Sequence, residues 1–349
     1  MAVYKNEERG TYFCTFYYTD WTGKRKRKKK EGFKKKKEAA DFEREFLNKQ
    51  KNNCDMNFKE LSDLYLEHSK TRIRVTTFQV KEIIIKERIL PYFKDMNVNN
   101  ITPNNIRKWQ NKLMSKDYKQ TYLKAVNKQL NAIFNFAIKY YNLNSNPALK
   151  AGPMGKKDSE GMQFWTLEEY KEFIKCVDNP MCKLAFEILF WTGLRKGELE
   201  ALTFSDIDTK NKIISITKTY TRINKKDIIN PPKTPKSKRK VSISDFLCED
   251  IENYKKKLYN FDKNERIFPV GRHILKNSMR DACEKSSVKE IRIHDLRHSH
   301  ASLLIELGFS PLLIKERLGH ENIQTTLDTY SHLYPNKGAS IADKLDDLF

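Results

Sequence analysis

Residues 293–301 read Ile-His-Asp-Leu-Arg-His-Ser-His-Ala, inside a stretch whose apolar spacing predicts a helix over 293–307. His294 lies one helical turn from both Arg297 and His298, so an imidazole and a guanidinium can converge on one point. An ordinary core helix needs no such set. Three further stretches of the C-terminal half place polar residues with the same apparent purpose.

Downstream, Leu318-Gly-His-Glu-Asn-Ile-Gln-Thr-Thr-Leu-Asp-Thr-Tyr330 follows a helix opened by Ser310 and Pro311 and stopped by Gly319. His320 stands just past that stop, and Tyr330 shares a helical face with Ile323. Taken alone, such a tyrosine reads as a packed aromatic whose phenol finds one buried partner. Upstream, Trp191-Thr-Gly-Leu-Arg-Lys-Gly-Glu198 ends an apolar helix at Gly193 and starts another with Arg195, on one face with Glu198. Alone, Arg195 reads as a surface cap. Between them, Pro231-Pro-Lys-Thr-Pro-Lys-Ser-Lys-Arg239 puts basic residues on a turn between β-prone stretches at 212–221 and 239–244.

Taken together, two arginines, two histidines, a lysine and a tyrosine are what phosphodiester exchange through a covalent intermediate requires. Guanidinium groups bind non-bridging oxygens bidentately and stabilise the charge of a pentacoordinate phosphorus. A lysine or histidine can protonate the leaving 5′-oxygen. The tyrosine hydroxyl, with a free pKa of about 10, becomes nucleophilic once those cations favour its phenolate.

The strings TGLRKGEL, KTPKSKR, HDLRHSHAS and LGHENIQTTLDTYSH, in this order and spacing, closely resemble the tyrosine recombinases, specifically the integrases of phages and integrative elements. The resemblance implies that Tyr330 is the nucleophile forming a 3′-phosphotyrosyl link and that Arg195 and Arg297 clamp the phosphate. It implies that Lys233, on a β-hairpin, is the general acid, that His294 assists proton transfer, that His320 orients the phosphate and that Glu198 supports Arg195. Lys236, Lys238 and Lys240 are near neighbours of Lys233, so the hairpin register decides which lysine is the acid. Neither ATP nor a metal nor another cofactor is expected, in agreement with a sequence that has no GxxxxGK[ST] loop.

The resemblance also implies a multidomain, mainly α architecture. Residues 1–51 would form an arm-type DNA-binding domain of a small sheet plus helix, 56–150 a helical core-binding, SAM-like bundle, 151–163 a linker and 164–334 a mixed α+β catalytic domain. The tail, 335–349, would dock in cis or on a neighbouring protomer. The residues read alike. The stretch 11–19, TYFCTFYYT, is β-prone; a turn at 20–23 leads to the unbroken basic run Lys24, Arg25, Lys26, Arg27, Lys28, Lys29 and Lys30. Ala39, Phe42, Phe46 and Leu47 follow at helical spacing. Helical periodicity then runs from Met56 to Lys150, with a break at Pro91 and a fresh start at Thr102 and Pro103. The stretch AGPMGKKDSEGM at 151–162 has none, and Thr166 with Glu169 forms a capping box that opens the next unit. Ile341, Ala342, Leu345 and Leu348 give the tail an apolar stripe.

A net charge of +22 over 349 residues points to a polyanion partner. Seven consecutive cations repel one another and need compensation, which favours the run as a DNA contact over a solvated edge strand. No run of about 18 apolar residues suggests a membrane span, and the N-terminus carries no apolar signal segment. The six cysteines, without C-x-x-C spacing, read as reduced thiols. The expected setting is therefore the bacterial cytoplasm, at the nucleoid. The expected activity is site-specific integration and excision of a mobile element. Expected partners are double-stranded DNA at core-type and arm-type sites, further copies forming a tetramer, an excisionase and a host DNA-bending protein. The rivals are a type IB topoisomerase, which shares nucleophile and clamp, a non-catalytic architectural DNA-binding protein, and a metal hydrolase using His294, His298, His300, His320 and His332. The last lacks an H-E-x-x-H motif.

Overall fold

The computed structural model describes residues 3–19, 24–51, 54–156, 163–223, 226–232, 235–259, 262–269, 271 and 273–331. The chain divides into two compact units, Met1–Ser159 and Glu160–Phe349.

The first unit opens with β1 (Val3–Asn6), β2 (Thr11–Thr19) and β3 (Arg25–Phe33), an antiparallel sheet in that order, followed by α1 (Lys36–Lys51). Strand alternation sorts β2 into two faces. Cys14 and Phe16 are buried with Ala39 of α1, where Phe42 and Phe46 pack on them. Phe13, Thr15 and Tyr17 lie on the opposite face. The pairing Thr15 with Lys29, Phe16 with Lys28 and Tyr17 with Arg27 makes β3 the edge strand, and all seven residues of the basic run are exposed. The turn expected at 20–23 lies outside the described residues.

A bundle follows: α2 (Phe58–Lys70), α3 (Val75–Ile84), a π-helical turn at Ile85–Ile89, α4 (Leu90–Phe93), α5 (Pro103–Met114), α6 (Gln120–Tyr141) and α7 (Pro147–Ala151). Phe58 stacks at tilted angles on Phe93 and Phe134, and Trp109 meets Phe93 edge-on, in the centre of the core. Thr102 and Pro103 open α5 as the sequence suggests, with Asn105 completing a capping box. Pro91 does not break the helix there. The widened turn before it lets Leu90 N–H bond Ile85 O. The Glu87 carbonyl, which Pro91 cannot serve, accepts from Arg88 Nη1 at 3.2 Å, and the Trp109 indole caps Arg88 O at 2.9 Å. The aperiodic stretch after α7 also starts out packed. Met154 is buried in the bundle, and a Cβ on Gly155 would stand 2.3 Å from Gln120 O.

The second unit contains α8 (Leu167–Lys175), α9 (Pro180–Thr192), α10 (Lys196–Leu199), β4 (Ile207–Asp208), β5 (Ile213–Ile216), β6 (Thr219–Ile223), β7 (Lys226–Asn230) and β8 (Arg239–Ser242). After these come α11 (Asp245–Lys256), α12 (Ile274–Ser286), α13 (Asp295–Glu306), α14 (Pro311–Leu318) and α15 (Ile323–Tyr330). The Thr166–Glu169 capping box opens α8. Helix α9 is apolar nearly all round because it is the centre of the core, packed by α8, α11, α12 and α13. Strands β4, β5 and β8 form one antiparallel sheet, and β6 and β7 form a separate hairpin. That hairpin corrects the sequence reading, which missed β7. The lysine-rich segment is therefore the connection from β7 to β8, not the tip of a hairpin. Lys233 and the tail, 335–349, lie outside the described residues. All six cysteines are free.

Candidate active site

Gly193 caps α9 in the left-handed conformation, with φ of 66°, and a Cβ there would come within 2.7 Å of both His300 and Leu318. This tight turn delivers Arg195 to the head of α10. Its backbone N–H bonds Glu198 Oε2 at 3.0 Å, its Nη1 bonds Oε1 at 2.7 Å, and its Nη2 reaches Gly319 O at 3.3 Å.

Arg297, on α13, is only 3% exposed. Its Nη1 donates to Gly193 O at 2.7 Å and its Nη2 to Leu318 O at 2.6 Å. Both acceptors are carbonyls at helix C-termini, of α9 and α14, which have no partner within their helices and carry the negative end of the helix dipole. One guanidinium thereby ties two helix ends together and spends the strongest acceptors nearby on a positive charge. Burial and the neighbouring Arg195 and Arg239 pull its pKa down, and it stays a cation at neutral pH.

Arg239, at the start of β8, was not singled out from sequence. Its Nη2 and Nη1 grip the Glu198 carboxylate at 2.9 and 3.2 Å, and its Nε bonds Arg317 O at 2.8 Å. Burial alone would raise the Glu198 carboxyl, but Arg239 and Arg195 outweigh it and hold the pKa at about 2. Three guanidinium groups thus gather around one carboxylate. The site carries surplus positive charge and is organised for an anion before one arrives.

Two histidines and the tyrosine complete the cluster. His320 follows the left-handed Gly319, and its Nδ1 lies 2.8 Å from Thr326 Oγ1. Burial and the three arginines push its pKa down to about 3, so it is neutral. His294 stands exposed at the mouth of α13, its ring edge-on to His298 with centroids 5.6 Å apart. Tyr330, at the end of α15, is 1% exposed among Ala301, Ile305, Ile314 and Leu318. Its Oη lies 2.7 Å from His298 Nδ1. Burial raises the phenol to about 12, with Arg297 acting in the opposite sense.

Of the residues singled out from sequence, Arg195, Glu198, His294, Arg297, His320 and Tyr330 therefore come together. Lys233 lies outside the described residues, and the basic run belongs to the other unit. Sequence reasoning missed Arg239, and it took His298 only as a companion of His294. Among the described residues no three His, Cys, Asp or Glu side chains are grouped to hold a metal, and no helix is long and apolar enough to cross a membrane.

Residues 163–337, which include the whole cluster, match the model of the Phage integrase family. The chain belongs to that family. It is a tyrosine recombinase, a site-specific DNA recombinase of the integrase kind. Two further models match the recombinase: an arm DNA-binding domain at 2–50 and the phage-integrase N-terminal SAM-like domain at 57–114. It is 33% identical to the ICEBs1 integrase of Bacillus subtilis, over 90% of each chain. It is 26% identical to a tyrosine recombinase XerC-like protein of Caldanaerobacter subterraneus, over 95% of this chain and 94% of that one. Among solved structures, the Tn1549 transposon integrase in complex with circular intermediate DNA superposes with a TM-score of 0.70 at 19% identity, covering 84% of this chain and all of the other. The recombinase thus has the fold expected from its motifs: mainly helical, with a small N-terminal sheet and a mixed C-terminal unit. It is a DNA-binding protein.

Proposed function

We propose that the recombinase breaks and rejoins DNA at one phosphate held by Arg195 and Arg297, with Tyr330 as the nucleophile. The observation that carries this reading is the surplus of cations at a single point with a phenol beside it. Each terminal nitrogen of Arg297 that serves a helix carbonyl keeps a second N–H for a non-bridging oxygen. Tyr330 Oη attacks phosphorus, leaving a 3′-phosphotyrosine and a free 5′-hydroxyl. The energy of the broken bond is kept in the ester, so a 5′-hydroxyl from another strand can reverse the attack without ATP. His320, held by Thr326, orients the phosphate. His294 assists proton transfer, Glu198 holds Arg195 in place, and Lys233 is the general acid.

In this reading residues 1–51 bind arm-type sites, 56–150 and 164–334 grip the core-type site across the linker 151–163, and 335–349 docks in cis or on a neighbouring protomer. The outer face of the N-terminal sheet suits a DNA groove. Arg25 lies over Tyr17, Lys29 over Phe13, and Arg27 Nε bonds Thr15, so cations and rings alternate on one exposed surface. The working assembly is a tetramer on two DNA segments, acting with an excisionase and a host DNA-bending protein at the nucleoid of the bacterial cytoplasm, to integrate and excise a mobile element.

The test is a nicked core-site duplex mixed with the full chain in chelator. An SDS-resistant protein–DNA adduct should form, and Tyr330→Phe should lose the adduct while still shifting the duplex on a gel. Cleavage abolished by chelator, or a covalent link in the Phe variant, would refute the tyrosine mechanism.

A further inference from the structure

A phenol with its pKa raised by burial cannot attack phosphorus while it keeps its proton, and at 1% exposure Tyr330 has no solvent to take it. Among the described residues the one hydrogen bond at Oη is to His298 Nδ1, at 2.7 Å. We propose that His298, not His294, is the base that receives the Tyr330 proton as the nucleophile attacks. This rests on the tyrosine-recombinase reading of the site.

Three features of the surroundings fit the assignment. The other ring nitrogen, Nε2, faces Asp295 Oδ1 at 4.0 Å. Asp295 is 1% exposed and fixed by Arg292, whose Nε and Nη2 donate to it at 2.8–3.2 Å. At 4.0 Å the carboxylate makes no hydrogen bond to the ring, but its charge favours the proton on Nε2 and so leaves Nδ1 as the acceptor facing the nucleophile. Burial and then His294 bring the His298 pKa down to about 4, against the pull of Asp295, which keeps the lone pair free at neutral pH; so weak a base takes the proton only as bonding to phosphorus makes the phenol acidic. Finally, His294 is exposed at the mouth of the site, where it can meet the substrate, and the hydrogen bond at Oη among the described residues goes to His298 instead.

The step balances. On cleavage the Oη–P bond forms and the P–O5′ bond breaks; the phenol proton passes to Nδ1, and the 5′-oxygen leaves with a proton from the general acid. On rejoining, the incoming 5′-hydroxyl returns its proton to that acid as O5′–P forms, Oη–P breaks, and Nδ1–H gives its proton back to Oη.

The full chain carrying His298→Gln should still shift a nicked core-site duplex but form the covalent adduct about a hundredfold more slowly, or worse. The defect should persist on a duplex with a 5′-bridging phosphorothiolate, whose sulfur leaves without a proton while Tyr330 still holds its own. An adduct rate equal to wild type would overturn the assignment. A faster rate would mean that the hydrogen bond only stows the tyrosine, and a rate restored by the phosphorothiolate would make His298 the acid; both also overturn it. Tyr330→Phe separates the two levels. An adduct with that variant refutes the tyrosine reading itself, whereas no adduct with it and full rate with His298→Gln refutes the base alone. Nitrogen-15 signals of the histidine-labelled wild-type chain give an answer independent of any variant's folding. His298 Nδ1 should be an unprotonated acceptor, and a protonated Nδ1 in the resting chain would contradict the proposal.

Discussion

Two groups of cations in this recombinase use the same side chains in opposite ways. In β3 the residues Arg25 to Lys30 stand exposed on an edge strand, and their partners include rings, a threonine hydroxyl and an exposed carboxylate, Glu31. In the C-terminal cluster the Arg239 side chain is 6% exposed and Arg297 is buried, and their terminal nitrogens are fixed by Glu198 and by carbonyls, two of them at helix ends. The first group stays hydrated, so in the proposed function its affinity for DNA would come from counterion release and be screened by salt. The second has already lost most of its water in folding, so in the proposed reaction it would stabilise a transition state with little reorganisation. Charge alone therefore does not separate a binding surface from a catalytic one. The acceptors that hold the charge do.

The difference can be broken most severely at Arg297. Arg297→Ala should slow covalent cleavage by about a thousandfold. Because it also strands two helix-end carbonyls, it should lower unfolding stability by about 3–5 kcal/mol, measured by urea denaturation. Arg297→Lys, a single point charge, should recover little of either, since it cannot serve both carbonyls. Equal stability of the Ala variant would mean that the guanidinium is not structural.

Next comes Glu198. Its folded pKa is depressed to about 2 from an ordinary 4.5. Its contribution, about 3 kcal/mol, is therefore fully present above pH 4.5 and lost as pH falls from there to about 2. Glu198→Gln should be destabilised by roughly that amount at pH 7, and its deficit against wild type should shrink as acid is added. A deficit that does not change with pH would show that packing, not charge, is what Glu198 supplies.

The smallest effect belongs to the exposed group. Replacing Arg25, Arg27 and Lys29 with Gln should leave thermal unfolding unchanged and reduce the slope of log K against log salt for arm-site duplex by about 0.9 per lost phosphate contact. An unchanged slope would remove this face of the sheet from the DNA.

Much of this was legible in the sequence because it is local. The capping residues Thr102, Thr166 and Ser310 mark helix starts, Gly193 and Gly319 mark stops, and His294, Arg297 and His298 share one helix. What was missed is non-local or depends on strain. Arg239 grips Glu198 across 41 residues, and His298 meets Tyr330 across 32, and no spacing along one element encodes either contact. The π-turn before Pro91 is paid for by Arg88 and Trp109, the latter 21 residues from the carbonyl it caps. Strand β7 is short, and only pairing with β6 makes Asp227 to Asn230 extended.

The central claim, that the buried cluster exists to make one tyrosine react with one phosphate, is tested most directly by mapping the covalent link. Adduct trapped on a nicked core-site duplex would be digested with protease and nuclease, and the modified peptide sequenced by mass spectrometry. The account predicts a 3′-nucleotide phosphate esterified to Tyr330. A link to any other residue, or cleaved DNA with no peptide attached, would contradict it.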